Sequence, residues 1–305
     1  MQSAFLNGKV VRRVKMQAII ILAHKDIPQV IRLSALLSQR FKIYIHFDKK
    51  VVLSSTNKQQ LNSLKVNYFS LVNVNWGSWS IGEAALLSMQ KVLEDPQIDY
   101  IHIISGQDWP LKNLKDIYDF YDHNSSIYMS YSASKDHKKS GESLVNWQKY
   151  YFNYDKINRR SLYGKIYHRF NILIQSLLRV NKFKKYNFDL KLYNGANWMD
   201  LPIDVVKFLV DYANTHPNIM YIFKTGFCSD EFWVQTILLN SPQFNKRIIN
   251  NNYRFVKWQK QHNSYPAILD DSDYEAVKKS NAFFGRKFDF KYSKSLIKKL
   301  NVQND

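Results

Sequence analysis

The chain has 305 residues, 45% of them hydrophobic and 15% aromatic, enough to bury a sizeable core in one large domain or two fused halves. Forty-four Lys and Arg against 25 Asp and Glu give a formal charge of +19, which favours a phosphate-rich partner: nucleic acid, anionic lipid or a phosphorylated small molecule. No apolar run approaches the roughly 20 residues of a membrane span, no secretory leader is visible, and the single Cys228 cannot form an intrachain disulfide, so a cytoplasmic location is expected.

Residues 1–15 follow no periodic pattern and read as a loose extension; the remainder, 16–305, reads as a single domain. Ala18 to Ala23 is a strand, followed by the loop His24-Lys25-Asp26 and a helix with Ile27, Val30, Ile31, Ala35 and Leu36 inward, capped by Asp26 with Pro28 in its first turn. A second strand covers Lys42 to Asp48 and a third lies near Ser70 to Val74. Ser80-Ile-Gly-Glu83 is a capping-box sequence ahead of a helix from Ile81 to about Leu93. The strand Tyr100 to Ser105 then delivers the turn Ser105-Gly106-Gln107-Asp108. This alternation predicts a mostly parallel, doubly wound α/β sheet, in which ligands bind at the carboxyl ends of the strands. His24, Asp48 and Gln107-Asp108-Trp109 each fall just past such an end.

The segment 156–186 combines Phe170, Leu173, Ile174, Leu177 and Leu178 at helical spacing with eight Arg and Lys between Arg159 and Lys185, a ninth at Lys156, and no acid. Two readings stand level: a basic amphipathic helix lying on an anionic membrane, peripheral to its inner face, or an ordinary surface helix packed on the core. Further on come a helix from Pro202 to about Ala213 and another, capped by Ser229 or Asp230, that reaches Leu239.

The chain has no glycine-rich phosphate loop, no Cys/His metal cluster and no Gly-x-Ser-x-Gly elbow, which removes nucleotide-triphosphate hydrolysis and serine-hydrolase chemistry. Asp271-Ser-Asp273 has the Asp-x-Asp form of a metal-binding pair but directly precedes a helical pattern, where a cap is the simpler role. Asp230-Glu231 reads first as acidic residues complementing a helix dipole; the same dipole would keep Glu231 ionised, as a general base must be. Trp76, Trp79, Trp109, Trp198, Trp233 and Trp258 are core candidates, although several sit in polar turns where an indole can stack on a base or a sugar.

Taken in order, "ILAHKD", "YIHFDKK", "WGSWSIGEAAL", "ISGQDWPL", "YNGANWMDLP", "SDEFWVQT", "RFVKWQ" and "NAFFGRKFD" resemble the core-2/I-branching N-acetylglucosaminyltransferases and their peptide-xylosyltransferase relatives, over about residues 17–292 and in a bacterial type without secretory disulfides. The resemblance implies a GT-A type fold and an inverting transfer from a UDP-sugar, first UDP-GlcNAc and then UDP-xylose or another UDP-hexose, to a glycan acceptor in surface polysaccharide synthesis, with a lipid-linked acceptor as one option, and without metal or other cofactor. It carries the catalytic base to Glu231 and the diphosphate lysine to Lys287. Uridine contacts fall near His24, Asp48 and Trp76, with the donor-side turn at Ser105, Gly106, Gln107 and Asp108. The sugar and acceptor pocket falls to Gly195, Ala196, Asn197, Trp198 and Asp230, and acceptor stacking to Trp258. A second diphosphate cation of the family lands on Ser264; Arg254, Lys260 and, ranked last, Arg286 are the replacements considered. A basic nucleic-acid-binding protein is the competing class, weakened because no recognition motif accompanies the charge; no nucleic-acid partner is expected.

Overall fold

The computed structural model describes residues 15–139 and 141–301, together with the short strand pair Phe5–Leu6 and Lys9–Val10. Of the expected loose extension, residues 1–15, the rest ahead of Lys15 lies outside the described residues. The chain runs β1 (Met16–Ala23), α1 (Ile27–Leu37), β2 (Lys42–Phe47), β3 (Asn67–Phe69), α2 (Ser80–Leu93), β4 (Ile98–Ser105), β5 (Asp108–Pro110), β6 (Ile127–Met129), α3 (Leu162–Leu177), β7 (Met199–Pro202), α4 (Ile203–Thr215), α5 (Trp233–Leu239), β8 (Ile248–Asn250), β9 (Arg254–Val256) and β10 (Phe284–Arg286), with shorter elements between. Seven strands form the central sheet in the order β8-β6-β7-β4-β1-β2-β3. β4, β1, β2 and β3 are parallel to one another, and so are β8 and β6, while β7 runs antiparallel to both neighbours. The expected mostly parallel α/β sheet is therefore present, and the continuous apolar runs of β1 and β4 reflect burial on both faces. One apolar cluster lies on each side of it, around Ile20, Ile101, Val206 and Trp233 and around Ile19, Val30, Ile104 and Phe288.

A second sheet explains the polar turn at the end of β4. After Ser105–Gln107 the chain enters β5, which pairs antiparallel with β10, itself parallel to β9. Trp109 is completely buried between these layers. The sheets are fastened at Asp200 on β7: its carboxylate accepts from Tyr121 Oη at 2.7 Å and from Arg254 of β9 at 2.7 and 3.0 Å, and His102 Nδ1 of β4 lies 3.0 Å away. Burial alone would raise this carboxyl; the Arg254 guanidinium and His102 prevail and hold it down at about 2.

Several local expectations are corrected. The third strand lies at Asn67–Phe69, ahead of Ser70 to Val74. Asp26 occupies the α1 N-cap position with left-handed backbone and no side-chain cap; its carboxylate instead accepts from Phe290 N. In α1 the most deeply buried apolar residues are Val30, Leu33 and Leu37, with Ile27, Ile31 and Leu36 half-buried. Ser80 belongs to α2 and makes no capping box with Glu83; its hydroxyl accepts from Asn75 N. Neither Ser229 nor Asp230 caps α5: they lie in a separate 3-10 turn, Ser229–Glu231, and the Ser229 hydroxyl donates to Gln148 Oε1. At 271–273 the cap reading holds with the register moved, because Asp270 is the N-cap and exchanges bonds with Asp273. Asp273 also pairs with Lys257, and Asp271 with Lys299.

Removing one member of a buried ion pair strands the other. Asp200→Asn is expected to cost about 3–5 kcal/mol in unfolding free energy by urea titration. The Asp200 contribution, with a folded pKa of about 2 against an unfolded value near 4, should be complete above about pH 4 and lost as the pH falls toward 2.

Candidate active site

The parallel register places the rim. Leu22 of β1 pairs with Ser105 of β4, and Ala23 with Phe47 of β2, so His24, Gly106 and Asp48 emerge side by side at the strands' carboxyl ends. Asp48 is buried and accepts from Lys50 N at 3.0 Å and Val74 N at 3.1 Å, which fixes the loop leading to Trp76. Trp76 stays exposed, its ring edge-on to Phe227. Gly77 follows with φ +84°, a conformation that suits glycine, and its carbonyl accepts from Cys228 N at 2.9 Å, tying the Trp76 loop to the Glu231 turn.

The turn after β4 is rigid. Asp108 accepts from Ser105 N at 2.6 Å, Gln107 N donates to Ser105 Oγ, and Gln107 O accepts from Phe288 N at 2.7 Å. Gly106 packs so closely that a Cβ would lie 2.7 Å from Val30 Cγ2. The last of these bonds fixes Lys287, adjacent to Phe288, beside the turn. Burial pushes the Asp108 carboxyl up, opposed chiefly by Arg286, whose Nε lies 3.5 Å away.

Lys287 donates to Ser264 Oγ at 3.2 Å, so the position where the family's second cation was expected touches the lysine itself. Partial burial brings the Lys287 ammonium down to about 8, and every charge that adds to this is positive: Arg286, Lys25 and Arg160. His24 is lowered first by lost hydration and then by Lys25, with Arg160 and Lys287 contributing and Asp48 opposing. Four cations and an imidazole thus converge on one place. Arg160 was not among the site residues expected from the sequence, where it counted as part of a basic segment; its guanidinium lies 4.9 Å from the centre of the Trp76 ring. Arg254 is corrected: its side chain is buried and committed to Asp200, so it does not face the cation cluster as a free charge. Lys260 is exposed, with no contact that draws it to the site.

Across from these cations stands the Glu231 turn. Glu231 O accepts from Gly195 N at 2.8 Å, and its carboxylate lies 3.4 Å from Lys139 Nζ, another residue not foreseen. Glu231 ends the 3-10 turn rather than lying inside the first turn of a helix. Its neighbour Asp230 is buried; burial, then the charge of Glu231, pushes that carboxyl up to about 8. At Gly195 a Cβ would fall 1.8 Å from Ser130 O, and Ala196 is held between Ser130 Oγ and Gln235 Nε2. Asn197 is buried, and Trp198 lies under the Arg286 guanidinium at 4.3 Å. Arg286 also feels the charge of Glu231, which joins the two sides of the site. Of the chain's seven tryptophans, Trp79, Trp109 and Trp233 are core, as is Trp147, which was not singled out from the sequence. Trp258 is exposed and forms an aromatic pair at 5.8 Å with Tyr265, which follows the Ser264 that Lys287 touches.

Cations gathered opposite a carboxylate at the crest of a mostly parallel α/β sheet suit a ligand that carries phosphate. The family model for the Core-2/I-Branching enzymes matches residues 18–278, and the chain belongs to that family; Arg286 and Lys287 lie just beyond the matched span. Two beta-glucuronosyltransferases of Arabidopsis thaliana, GlcAT14B and GlcAT14A, are 28% identical over 99 residues, which is 32% of this chain and 23% and 22% of theirs. The matched part therefore spans less than a quarter of either relative. A solved glycosyltransferase involved in the glycosylation of the major capsid of PBCV-1 aligns over 93% of this chain and 99% of its own, at 10% identity and a TM-score of 0.35. Among the described residues no group of three or more His, Cys, Asp or Glu is arranged to hold a metal, and no helix is long and apolar enough to cross a membrane.

A carboxyl raised in the folded state costs stability once the unfolded chain has ionised it. For Asp230 this cost begins near the unfolded pKa of about 4, grows with pH and levels off above about 8. Asp230→Asn should accordingly match the wild type in thermal unfolding near pH 4 and gain on it up to pH 8, a divergence that melting curves across that range would reveal.

Proposed function

We propose that the protein transfers a sugar from a UDP-sugar to a hydroxyl of a glycan acceptor, in one inverting displacement that needs no metal. The observation that carries this reading is Lys287: a half-buried lysine whose surrounding charges Arg286, Lys25 and Arg160 all repel it is a place awaiting an anion. A diphosphate there would lie within reach of Arg160, which takes the part left vacant at Ser264. His24, Asp48 and Trp76 stand at the uridine end, with the Trp76 ring exposed for stacking.

The reaction then follows from charge. Glu231 accepts the proton of the acceptor hydroxyl as that oxygen attacks the anomeric carbon from the face opposite UDP. The bond from that carbon to the diphosphate oxygen breaks, and the negative charge on departing UDP is met by cations already in place. Trp198 and Gly195 line the sugar position, and Trp258 with Tyr265 offers an apolar platform for the acceptor. GlcNAc is the first donor sugar to test. Glucuronic acid is the second, favoured by the names of the plant relatives and by the Arg286 guanidinium over Trp198, which could pair with a sugar carboxylate.

Two measurements test the reading. Glu231→Gln should lower kcat by about 10²–10⁴-fold while UDP affinity, measured by calorimetry, changes little; retained turnover would remove Glu231 as the base. Affinity for UDP should weaken as the pH rises through about 8, where Lys287 loses its proton. Lys287→Ala should bind weakly at every pH, whereas Lys287→Arg should bind without that pH dependence. Transfer that survives EDTA completes the case, and transfer lost in EDTA and restored by Mn²⁺ would overturn the metal-free mechanism.

A further inference from the structure

Helix α3 is turned the opposite way from the packed-helix expectation. At 3.6 residues per turn, Gly164, His168, Asn171 and Gln175 share one face, and it is this polar face that meets the protein. His168 Nε2 donates to the Glu142 carboxylate at 2.8 Å and its Nδ1 accepts from Tyr154 Oη; Gln175 accepts from Tyr151 N and donates to Tyr151 O. The opposite face is apolar and faces out. Leu162 is 76% exposed, Phe170 59%, Leu173 53% and Leu177 73%, with Ile166 and Leu178 also exposed. Soluble proteins seldom display so continuous an apolar stripe without a partner for it.

The occupant is indicated by charge. Lys165 and Arg169 border the stripe along the helix, and Arg179, Lys184 and Lys185 are exposed just beyond its end. No Asp or Glu occurs between Asp155 and Asp189. A second copy seated by twofold symmetry would set these cations against themselves, and the chain as a whole carries +19. Lys182, by contrast, contributes nothing outward: it is buried, donating to Ile222 O at 2.8 Å and Thr225 Oγ1 at 2.9 Å. Arg159 is half-buried over the Phe227 ring, and Arg160 is engaged at Trp76.

We propose that the outward face of α3, with its border of Lys and Arg, is a membrane-docking surface that inserts its apolar stripe at the headgroup boundary of an anionic lipid bilayer. The long aliphatic side chains gain burial there, and the cations meet lipid phosphates. The helix lies flat on the surface without crossing it. This inference does not depend on the identity of the donor.

The test is flotation of the full chain with phosphatidylcholine vesicles with and without phosphatidylglycerol. Binding is expected to the anionic vesicles and to weaken at high salt. Changing Lys165, Arg169, Arg179, Lys184 and Lys185 to Gln should lower affinity about fivefold for each cation that touches the surface. Phe170→Ser with Leu177→Ser should abolish binding even with all cations kept, and since both side chains point to water the melting temperature should hold or rise. None of these residues belongs to the active site. The inference is overturned if the wild type ignores anionic vesicles, or if either variant binds them as the wild type does. It is equally overturned if the wild type sediments as a dimer that the Phe170/Leu177 variant converts to monomer, since a second copy would then own the face.

Discussion

The buried carboxylate of Asp200 is the constraint on which the rest of the architecture depends. It sits on the one antiparallel strand inside the central sheet, and its partners come from three other elements: His102 on β4, Tyr121 in the last turn of the helix Leu114–Tyr121 and Arg254 on β9. An ionised carboxylate without those donors would be too costly to keep inside the protein, and each donor is equally committed to it. The second sheet is thereby fixed in position against the first. Because β9 pairs with β10, and β10 ends at Arg286, the same interaction fixes where Lys287 stands relative to the strand ends of β1, β2 and β4.

The site is built by collecting like charge, which a fold does only where the backbone leaves no choice. Lys287 is held by main-chain bonds to Ala267 and Leu269, and its neighbour Phe288 bonds to Gln107. Arg160 is held from another direction by the Trp76 ring. Neither is drawn in by a carboxylate, so the repulsion among them persists until an anion arrives. Glu231 stands apart from this cluster with its own neutralising lysine, Lys139, and with Asp230 kept from ionising beside it. One side of the site thus stores positive charge and the other a single carboxylate, a distribution that suits the displacement proposed above.

Much of this was legible in the sequence, for identifiable reasons. Uninterrupted apolar runs such as Ile19 to Ile21 mark parallel strands, and the polar residues directly after them mark the crest where ligands bind. That is why His24, Asp48 and the Ser105–Asp108 turn could be named before their neighbours were known. What could not be read were side chains whose role is decided by distant partners. Arg254 looked like a free cation because Asp200 is 54 positions away in sequence. Arg160 looked like one charge among many because nothing local reports that it lies over Trp76. Trp109 was a core candidate despite its polar turn, and what the sequence did not show is the pairing of β5 with β10 that buries it.

Helix α3 shows the limit of periodicity most clearly. A 3.6-residue repeat reports that one face is apolar and the other polar, and says nothing about which of them meets the protein. The usual assumption places the apolar face inward because buried polar groups are costly when unpaired. Here that cost is removed one group at a time: both nitrogens of His168 are occupied, by Tyr154 and Glu142, and both ends of the Gln175 amide are occupied by Tyr151. Glu142 also accepts from Trp147 Nε1 and lies in the hairpin that carries Lys139 to Glu231. The polar side of α3 is therefore continuous with the support of the Glu231 turn, and Arg160, just before the helix, reaches the Trp76 rim. With its polar face fully engaged in holding the site together, the helix has only its apolar face left for the outside, and an apolar face edged with cations is suited to a bilayer of anionic lipid rather than to water.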